Sequence, residues 1–441
     1  MKKIISALIL SAVIGAAFAD VSINLNYRQR ANLFTKGGGT GASAKTEILN
    51  TDTYAGSGTD NFQIRLKGDL AQFDMLLIGD EATTDTIRAK NLSASVFLGN
   101  LTLWAGFHSD GQLNGNYRVK TDVDAGSFEG YDFEYKKLGS AYANSPTYFV
   151  DNMVQNTDTE GENYAGIATY NLKFSSGSLK INGFYITNEG SDEARNPSES
   201  SSDTDHLEGH AGGILLDAKL DSLGSGEFVF KYGESITRFD AMALGLYVQP
   251  KFGSLPLVLT VGGALSIIDS TPTDWSVDLR ARYQAIPKKL SFTTFHNISA
   301  FIDPEGVFED GLYSSANPTK ALAANSFATS GNGTASTMAR DMIMTNNLMV
   351  RYVVNDWFAV TGIIADMIGM STTGGADLKD PDGKDCTDPN IQLRFSGWFQ
   401  FYAASRAFVN IGLVCSINDV ADTYETRYCG FYVPVIFRVR M

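Results

Sequence analysis

The sequence is poor in cysteine, histidine and positive charge. Three cysteines among 441 residues are too few for a disulfide scaffold. Acidic residues outnumber basic ones by 49 to 35, so the chain lacks the basic surface of a nucleic-acid binder. Only four histidines occur, none of them in a nucleophile motif. We therefore expect no enzyme and no nucleic-acid partner, and we expect neither a cofactor nor a metal site.

A long apolar run is also missing once the first residues are passed. Met1, Lys2 and Lys3 precede an apolar stretch over 4–18, and residues 17–19 form a small-x-small cleavage site. This pattern predicts a signal peptide over 1–19 and a single mature domain over 20–441. No later run reaches the roughly 18 apolar residues that a membrane-spanning helix needs. A helical membrane protein is therefore excluded.

The sequence instead contains apolar and polar residues in alternation. Val21, Ile23 and Leu25 alternate with polar residues, and similar segments of about 10 to 14 residues recur along the chain. Strands of this length fit a tilted crossing of a bilayer better than the short strands of soluble sheets. Tight turns, such as the one at 99–100, alternate with long polar loops. These loops are predicted near 31–60, 109–126, 188–209, 302–339 and 371–388.

The alternating segments predict about 16 to 20 strands, and single-chain bacterial barrels have even strand numbers. The chain leaves no room for a plug domain between the signal peptide and the first strand. The predicted strands are 21–30, 61–69, 70–79, 86–98, 101–108, 127–136, 147–154, 164–174, 178–187, 210–220, 226–236, 240–252, 255–268, 273–285, 289–301, 340–354, 357–370, 389–402, 406–418 and 428–441.

This layout resembles the outer-membrane β-barrels of bacteria with two membranes, and among them the general porins. The final strand alternates up to Met441, although such barrels usually end in an aromatic residue. The resemblance implies an all-β fold, a transmembrane antiparallel up-and-down barrel with short periplasmic turns and long extracellular loops. It implies a location in the outer membrane, contact with the lipid bilayer and with the barrel-assembly machinery, and an inward loop at 109–126 or 302–339. Porins often trimerise, so a homo-oligomer stays open.

The function implied by the resemblance is passive diffusion of small hydrophilic solutes or ions through an open channel. An alternative from another class is a surface adhesin or structural barrel without an open pore, whose long polar loops form the binding part. The two differ in whether the lumen is open.

Charged residues on the polar rows would line such a channel. The predicted basic wall is Arg28, Arg30, Arg65, Lys67, Arg280, Arg282, Arg351, Arg394, Arg438 and Arg440. The predicted acidic residues, elsewhere on the circumference, are Asp74, Asp132 and Glu134. Opposed charges across a lumen would orient dipolar solutes and tune ion selectivity. The same charges could equally do no more than solvate the wall.

Two further features concern the outward rows. Aromatic residues near strand ends, among them Phe358 and Phe401, predict girdles at the membrane interfaces. A hairpin centred at residue 422 would place Cys415 opposite Cys429. A disulfide and two reduced, lipid-facing thiols are both compatible with this placement.

Overall fold

The computed structural model of the chain describes residues 20–36, 46–50, 61–80, 86–107, 162–189, 209–234, 240–268, 271–301, 342–370, 390–404, 407–419 and 428–440. The regular elements in these ranges are all β-strands. Within them we find no helix with the length and apolar character needed to cross a membrane.

Nineteen strands are present in the described ranges. They are β1 (Asp20–Lys36), β2 (Thr46–Asn50), β3 (Asn61–Lys67), β4 (Ala71–Asp80), β5 (Thr86–Leu98), β6 (Leu101–Phe107), β7 (Glu162–Phe174), β8 (Gly177–Glu189), β9 (Gly209–Leu220), β10 (Gly224–Glu234), β11 (Asp240–Pro250), β12 (Leu257–Ile268), β13 (Thr271–Ile286), β14 (Leu290–Phe301), β15 (Met342–Asn355), β16 (Phe358–Met370), β17 (Asn390–Ala404), β18 (Ala407–Asp419) and β19 (Tyr428–Arg440).

The strands form one antiparallel up-and-down sheet that returns to its start. From β3 onward each strand pairs with the next one in sequence, and β19 pairs with β1. Residue Asn26 of β1 has Arg440 as its Cα partner on one edge and Asn61 on the other, so β1 closes the ladder between β19 and β3. The chain therefore forms a closed barrel.

β2 and β3 occupy one place in this barrel. Thr46–Asn50 pairs with residues 36 to 32 of β1, and Asn61–Lys67 pairs with residues 26 to 20. Both partners run in the same direction along one edge of β1, so they are two parts of one ladder position. The 19 strands thus fill 18 places, an even number, within the predicted range of 16 to 20.

Most predicted strands are confirmed. Eighteen of the 20 predicted ranges match the 18 ladder places, whereas 127–136 and 147–154 lie outside the described residues. The described ladder runs directly from β6 to β7. The prediction of a loop over 31–60 is wrong in part, because β1 continues to Lys36 and β2 follows. A register shift between Asn32 and Phe34 breaks the alternation that would have revealed the longer strand.

One rim of the barrel, here called the turn rim, gathers the short connections. Tight turns join β5 to β6, β7 to β8, β9 to β10, β13 to β14 and β15 to β16. Gly99 adopts a φ of 65° in the first of these, a conformation that a side chain disfavours. The long connections lie at the opposite end, here called the loop rim. The predicted alternation of short and long connections is confirmed along most of the chain.

The two faces of the barrel differ in polarity, in the reverse sense to a soluble protein. Large apolar side chains point outward and are exposed, as shown by Leu246 at 58% and Ile364 at 51%. Polar side chains point inward and are buried, as for Asp278, Gln400 and Asn410. A small apolar cluster also lies on the inward face, formed by Met349, Ile363, Trp398, Val414 and Ile436.

Aromatic rings gather on the outward face at the turn rim. The Phe358 and Phe401 ring centroids lie 5.1 Å apart, and Phe399 stacks on Phe358 at 6.4 Å. Trp357, in the turn between β15 and β16, stacks on Phe401 at 6.5 Å. Phe358 and Phe401 therefore lie at strand ends as predicted, and Trp357 extends the cluster.

Candidate channel lining

The inward face encloses a wide lumen. Strands about 4.8 Å apart, tilted by about 40°, close a ring of 18 places about 36 Å across. The inward side chains therefore form the lining of this space. Hydrogen bonds join them between neighbouring strands. Thr361 Oγ1 donates to Gln400 Oε1 at 2.8 Å, and Thr169 Oγ1 donates to Asn182 Oδ1 at 2.7 Å.

The predicted basic residues spread over half of the ring. They lie on β1 (Arg28, Arg30), β3 (Arg65, Lys67), β13 (Arg280, Arg282), β15 (Arg351), β17 (Arg394) and β19 (Arg438, Arg440). These strands fall within a run of nine adjacent places from β13 through β19 and β1 to β3. None of the ten lies on β14, β16 or β18. The arrangement is therefore an arc with gaps, which we call the basic arc.

The basic arc crosses the seam where the barrel closes. Arg28 of β1 and Arg438 of β19 are direct Cα partners. Arg440 pairs with Asn26 one step nearer the turn rim. The Arg438 side chain is only 7% exposed. This register therefore brings three arginine positions together at the seam.

Arg351 is held by an aromatic side chain on the inward face. Its Nη2 donates to the Tyr402 hydroxyl at 2.6 Å, and its guanidinium carbon lies 5.8 Å from the centre of that ring. The contact spans from β15 across β16 to β17. Tyr402 therefore orients this member of the basic arc, a role that the sequence pattern did not predict.

Asp74 is placed differently from its prediction. It is the direct Cα partner of Arg65, and Arg65 Nε donates to its Oδ1 at 2.5 Å. Gln72 and Gln63 also donate to this carboxylate. The prediction that Asp74 faces the basic residues from elsewhere on the circumference is wrong, because the hairpin register of β3 and β4 sets the two side by side. Asp132 and Glu134 lie outside the described residues.

Three inward carboxyl groups were missed by the prediction. Asp217, Glu227 and Asp278 are 4%, 1% and 0% exposed. They lie on one row of the ladder, since Asp217 pairs with Glu227, Glu227 with Tyr247, Tyr247 with Gly262 and Gly262 with Asp278. A lysine, Lys180, is the Cα partner of Asp217 on β8. The phase of the outward residues Phe228, Phe230 and Tyr232 could have identified Glu227.

Within this row an aromatic ring packs on a glycine. The Tyr247 ring lies across β12 towards Asp278 on β13, in the place where a Cβ at Gly262 would overlap it. On the far side of Asp278, Asn297 Nδ2 donates to its Oδ1 at 2.6 Å. The Trp398 ring packs in the same way on Gly412 of β18. These contacts hold inward side chains against the wall and away from the lumen axis.

The two cysteines of the last hairpin are not direct partners. Cys415 pairs with Phe431, and Cys429 pairs with Ile417. The predicted register is therefore wrong by two residues, because the centre of a hairpin cannot be fixed from a polar connection without its turn geometry. Cys415 is a reduced thiol, not part of a disulfide, and lies half-buried on the outward face.

No protein-family model matches the chain, and no curated protein matches it. Solved structures with a similar fold include the outer membrane channel DcaP of Acinetobacter baumannii, at 10% identity and a TM-score of 0.44, with 96% of this chain and 97% of that chain covered. OccK3 (OpdO) of Pseudomonas aeruginosa has 10% identity and a TM-score of 0.48, with 98% and 99% covered.

A loop L8 deletion mutant of OmpT, an outer membrane protein of Vibrio cholerae, has 8% identity and a TM-score of 0.38, with 96% of this chain and 99% of that chain covered. DcaP and OmpT are outer-membrane proteins by name, the class that the sequence layout resembles. These three TM-scores lie below 0.5, and the strand pairing of this chain defines its fold.

Proposed function

We propose that the chain is a porin-like channel of the bacterial outer membrane, through which small hydrophilic solutes or ions diffuse passively. The observation that carries this proposal is the polarity of the closed barrel. Its inward face is lined by charged and amide side chains around the ring, and its outward face presents large apolar side chains. A wall of this kind separates lipid from water.

The outward face supports the membrane location. Soluble monomers rarely expose an apolar patch of more than a few hundred Å². Here exposed leucine, isoleucine, valine and phenylalanine side chains recur on strands around the barrel. The aromatic cluster of Trp357, Phe358, Phe399 and Phe401 lies at the turn rim, where an interface girdle would lie. The proposed signal peptide over 1–19 and assembly by the barrel-assembly machinery agree with this location.

The strand number and the lining support an open lumen. Barrels of 16 to 18 strands leave an aqueous channel, whereas barrels of eight strands are filled by their own side chains. The basic arc occupies one half of the ring, and Asp217 and Glu227 lie on the other half. We propose that this asymmetry favours anions and orients dipolar solutes, with Arg394 and Arg438 among the residues that set the preference.

The test is single-channel conductance of the chain in a planar bilayer, with the reversal potential measured under a salt gradient. Steady conductance is expected. Arg394→Ala and Arg438→Ala should each shift the reversal potential towards cations, because each removes a positive charge from the lining. Arg438→Lys is the matched control, since it keeps the charge and should keep the selectivity.

The opposite result would support the other candidate. A chain shown to be folded and inserted that gives no conductance would be a closed barrel, and the adhesin or structural function would then be preferred. Unchanged selectivity in both alanine variants would leave the channel but remove the proposed role of the basic arc.

A further inference from the structure

A groove lies on the outward face of strands β15 to β19. Its floor is formed by Gly362 of β16 and Gly397 of β17, which are direct Cα partners. A Cβ at either glycine would meet nothing within 4 Å, so the missing side chains leave open space between their neighbours. The groove has a volume of about 460 Å³. The apolar side chains along its walls include Leu348, Ile364, Phe395, Leu413 and Phe431.

The groove occupies the loop-rim half of the apolar band. Gly362 lies four residues along β16 from Phe358 in the aromatic cluster, and Phe431 lies nine residues from the turn-rim end of β19. At about 3.3 Å per residue and a tilt of about 40°, the groove extends from about 10 Å to about 23 Å above the turn rim, in a band about 25 Å tall. One leaflet fills about half of such a band, so the groove has the depth of a single leaflet.

Hydrogen-bonded polar side chains border the groove on its loop-rim side. Asn346 and Asp366 are the next outward residues on β15 and β16 after Leu348 and Ile364, which line the groove. Asn346 Nδ2 donates to Asp366 Oδ1 at 2.7 Å, and His296 Nδ1 of β14 donates to Asn346 Oδ1 at 2.7 Å. These groups form a chain that ends in a carboxylate beside the groove.

Such groups are rare on this part of the wall. In the strand interiors of β10 to β19 that the structure describes, His296, Asn346, Asp366 and the neighbouring Thr294 are the outward residues of carboxylate, amide, imidazole or aliphatic hydroxyl type. Asp366 lies eight residues from Phe358, which places it about 20 Å above the turn rim and about 5 Å inside the loop-rim edge of the band. Lipid tails offer a carboxylate no hydrogen bond, so its position there is costly without polar partners.

The Asp366 carboxylate has acceptor capacity beyond the bond from Asn346. Its two oxygens can accept about four hydrogen bonds. Asp366 is half-buried, so part of it faces the lipid. Headgroups lie above this depth, whereas a hydroxyl group on an acyl chain, a few carbons from the headgroup, lies level with Asp366. A hydroxyl that donates to this carboxylate makes a charge-assisted hydrogen bond, which is stronger than one between neutral groups.

We propose that the groove binds one acyl chain of an outer-leaflet lipid, and that a hydroxyl group on this chain, close to the headgroup, donates to Asp366. The chain enters beside Asp366 and fills the space above Gly362 and Gly397. Close packing supplies the affinity, because apolar groups gain nothing by leaving lipid but gain contacts by filling a gap. The hydroxyl supplies the selectivity among lipids.

The position of the groove favours a lipid over a protein as its occupant. A protein packed against the barrel would follow the strands over the full height of the band, whereas the groove ends about halfway down. The long connections of such barrels are extracellular, so the loop-rim half of the band faces the outer leaflet. The occupant is therefore a lipid of that leaflet.

This inference rests on the membrane location proposed above. The experiment is native mass spectrometry of the purified, delipidated chain in mild detergent, titrated with a β-hydroxymyristoyl phospholipid or with its myristoyl counterpart. One lipid should bind to each chain. The hydroxylated lipid should bind about tenfold more tightly, as expected for one hydrogen bond to a charged acceptor. Asp366→Leu should bring the two lipids to the same affinity, because it removes the acceptor.

A pair of glycine variants tests the groove itself. Gly362→Phe should weaken the binding of both lipids by about tenfold or more, since a filled gap leaves no room for the chain. Gly183→Phe is the matched control, because it lies on the outward face of β8 and a Cβ there also has nothing within 4 Å. It should leave both affinities unchanged. The mobility of the unheated chain in SDS gels shows that each variant keeps its folded barrel.

Equal affinity of the two lipids for the unchanged chain would overturn the proposal, and so would an equal loss in Gly362→Phe and Gly183→Phe. A polypeptide that co-purifies with the unchanged chain and is lost only in Gly362→Phe would also overturn it, because the groove would then bind a protein. The channel and the lipid site fail separately. A chain that conducts ions without a lipid preference removes only the site, whereas selective lipid binding without conductance removes only the channel.

Discussion

Two pairs of glycines on opposite faces of the barrel make opposite use of a missing side chain. The inward Gly262 and Gly412 each lie under an aromatic ring, so the missing Cβ is occupied by a neighbour in the same chain. The outward Gly362 and Gly397 have open space where the Cβ would be. The inward face thus fills the space above these glycines within one chain, whereas the outward face on β16 and β17 leaves that space open.

The largest effect should come from filling an inward glycine. Gly262→Val pushes the Tyr247 ring off β12, and overpacking of this kind costs about 3 kcal/mol of the free energy of unfolding. Gly362→Val should change it by less than about 0.5 kcal/mol, because a Cβ there has nothing within 4 Å. Denaturant unfolding in detergent micelles measures both. Equal losses would mean that the two faces do not differ in packing.

The next effect compares two asparagines on neighbouring strands whose side chains point to opposite faces of the barrel. Asn297→Ala removes the amide that donates to Oδ1 of the fully buried Asp278, and the loss of this buried hydrogen bond costs about 2 kcal/mol. Asn346→Ala, on the outward face, should cost less than about 1 kcal/mol, because its hydrogen bonds to His296 and Asp366 are only part-buried or exposed. The comparison again uses denaturant unfolding. A larger loss at Asn346 would show that these outward hydrogen bonds stabilise the barrel more than the inward one.

A smaller effect is expected at the Arg351 contact. Tyr402→Phe removes the hydroxyl that accepts from Arg351, at a cost of about 1 kcal/mol or less. The freed guanidinium should shift the reversal potential less than Arg351→Ala does, since the charge remains. Tyr352→Phe, an exposed phenol on the outward face of β15, should change neither quantity. An equal shift in both phenylalanine variants would argue against orientation of Arg351 by Tyr402.

The smallest effect should come from the Arg65 and Asp74 ion pair. The two side chains are 40% and 19% exposed, so breaking the pair should cost under about 1 kcal/mol. Asp74→Asn leaves Arg65 without its counter-charge and should move selectivity towards anions, whereas the double change with Arg65→Gln should restore it. Reversal potentials of the unchanged chain and of the two variants decide this. No shift in Asp74→Asn would mean that this pair lies outside the ion path.

The sequence was sufficient for the fold because each outward row is apolar over many residues. Alternation at Phe228, Phe230 and Tyr232 is strong enough to define a strand and its faces without tertiary information. The alternation gave a wrong strand end where its period breaks, at the shift between Asn32 and Phe34. It also gave a wrong register where the centre of a hairpin had to be assumed, as between Cys415 and Cys429.

The lining was predicted less well, because alternation gives the face of a side chain but not its partner. The Arg65 and Asp74 pair depends on hairpin register, and the Arg351 and Tyr402 contact depends on reach across an intervening strand. Asp217 was missed because Leu215 and Leu216 are both apolar, which hides the phase of β9. The sequence contains no local signal for such contacts.

The seam between β1 and β19 has a kinetic consequence. From β3 to β19, every ladder pairing joins consecutive strands, so the sheet can grow hairpin by hairpin, and each hairpin closes a loop far shorter than the whole chain. The pairing of Asn26 with Arg440 joins opposite ends of the described chain. Since long-range contacts form slowly, ring closure should be the last and rate-limiting event of folding. Variants at this seam should alter the folding rate of the whole barrel more than variants of the same kind in any single hairpin.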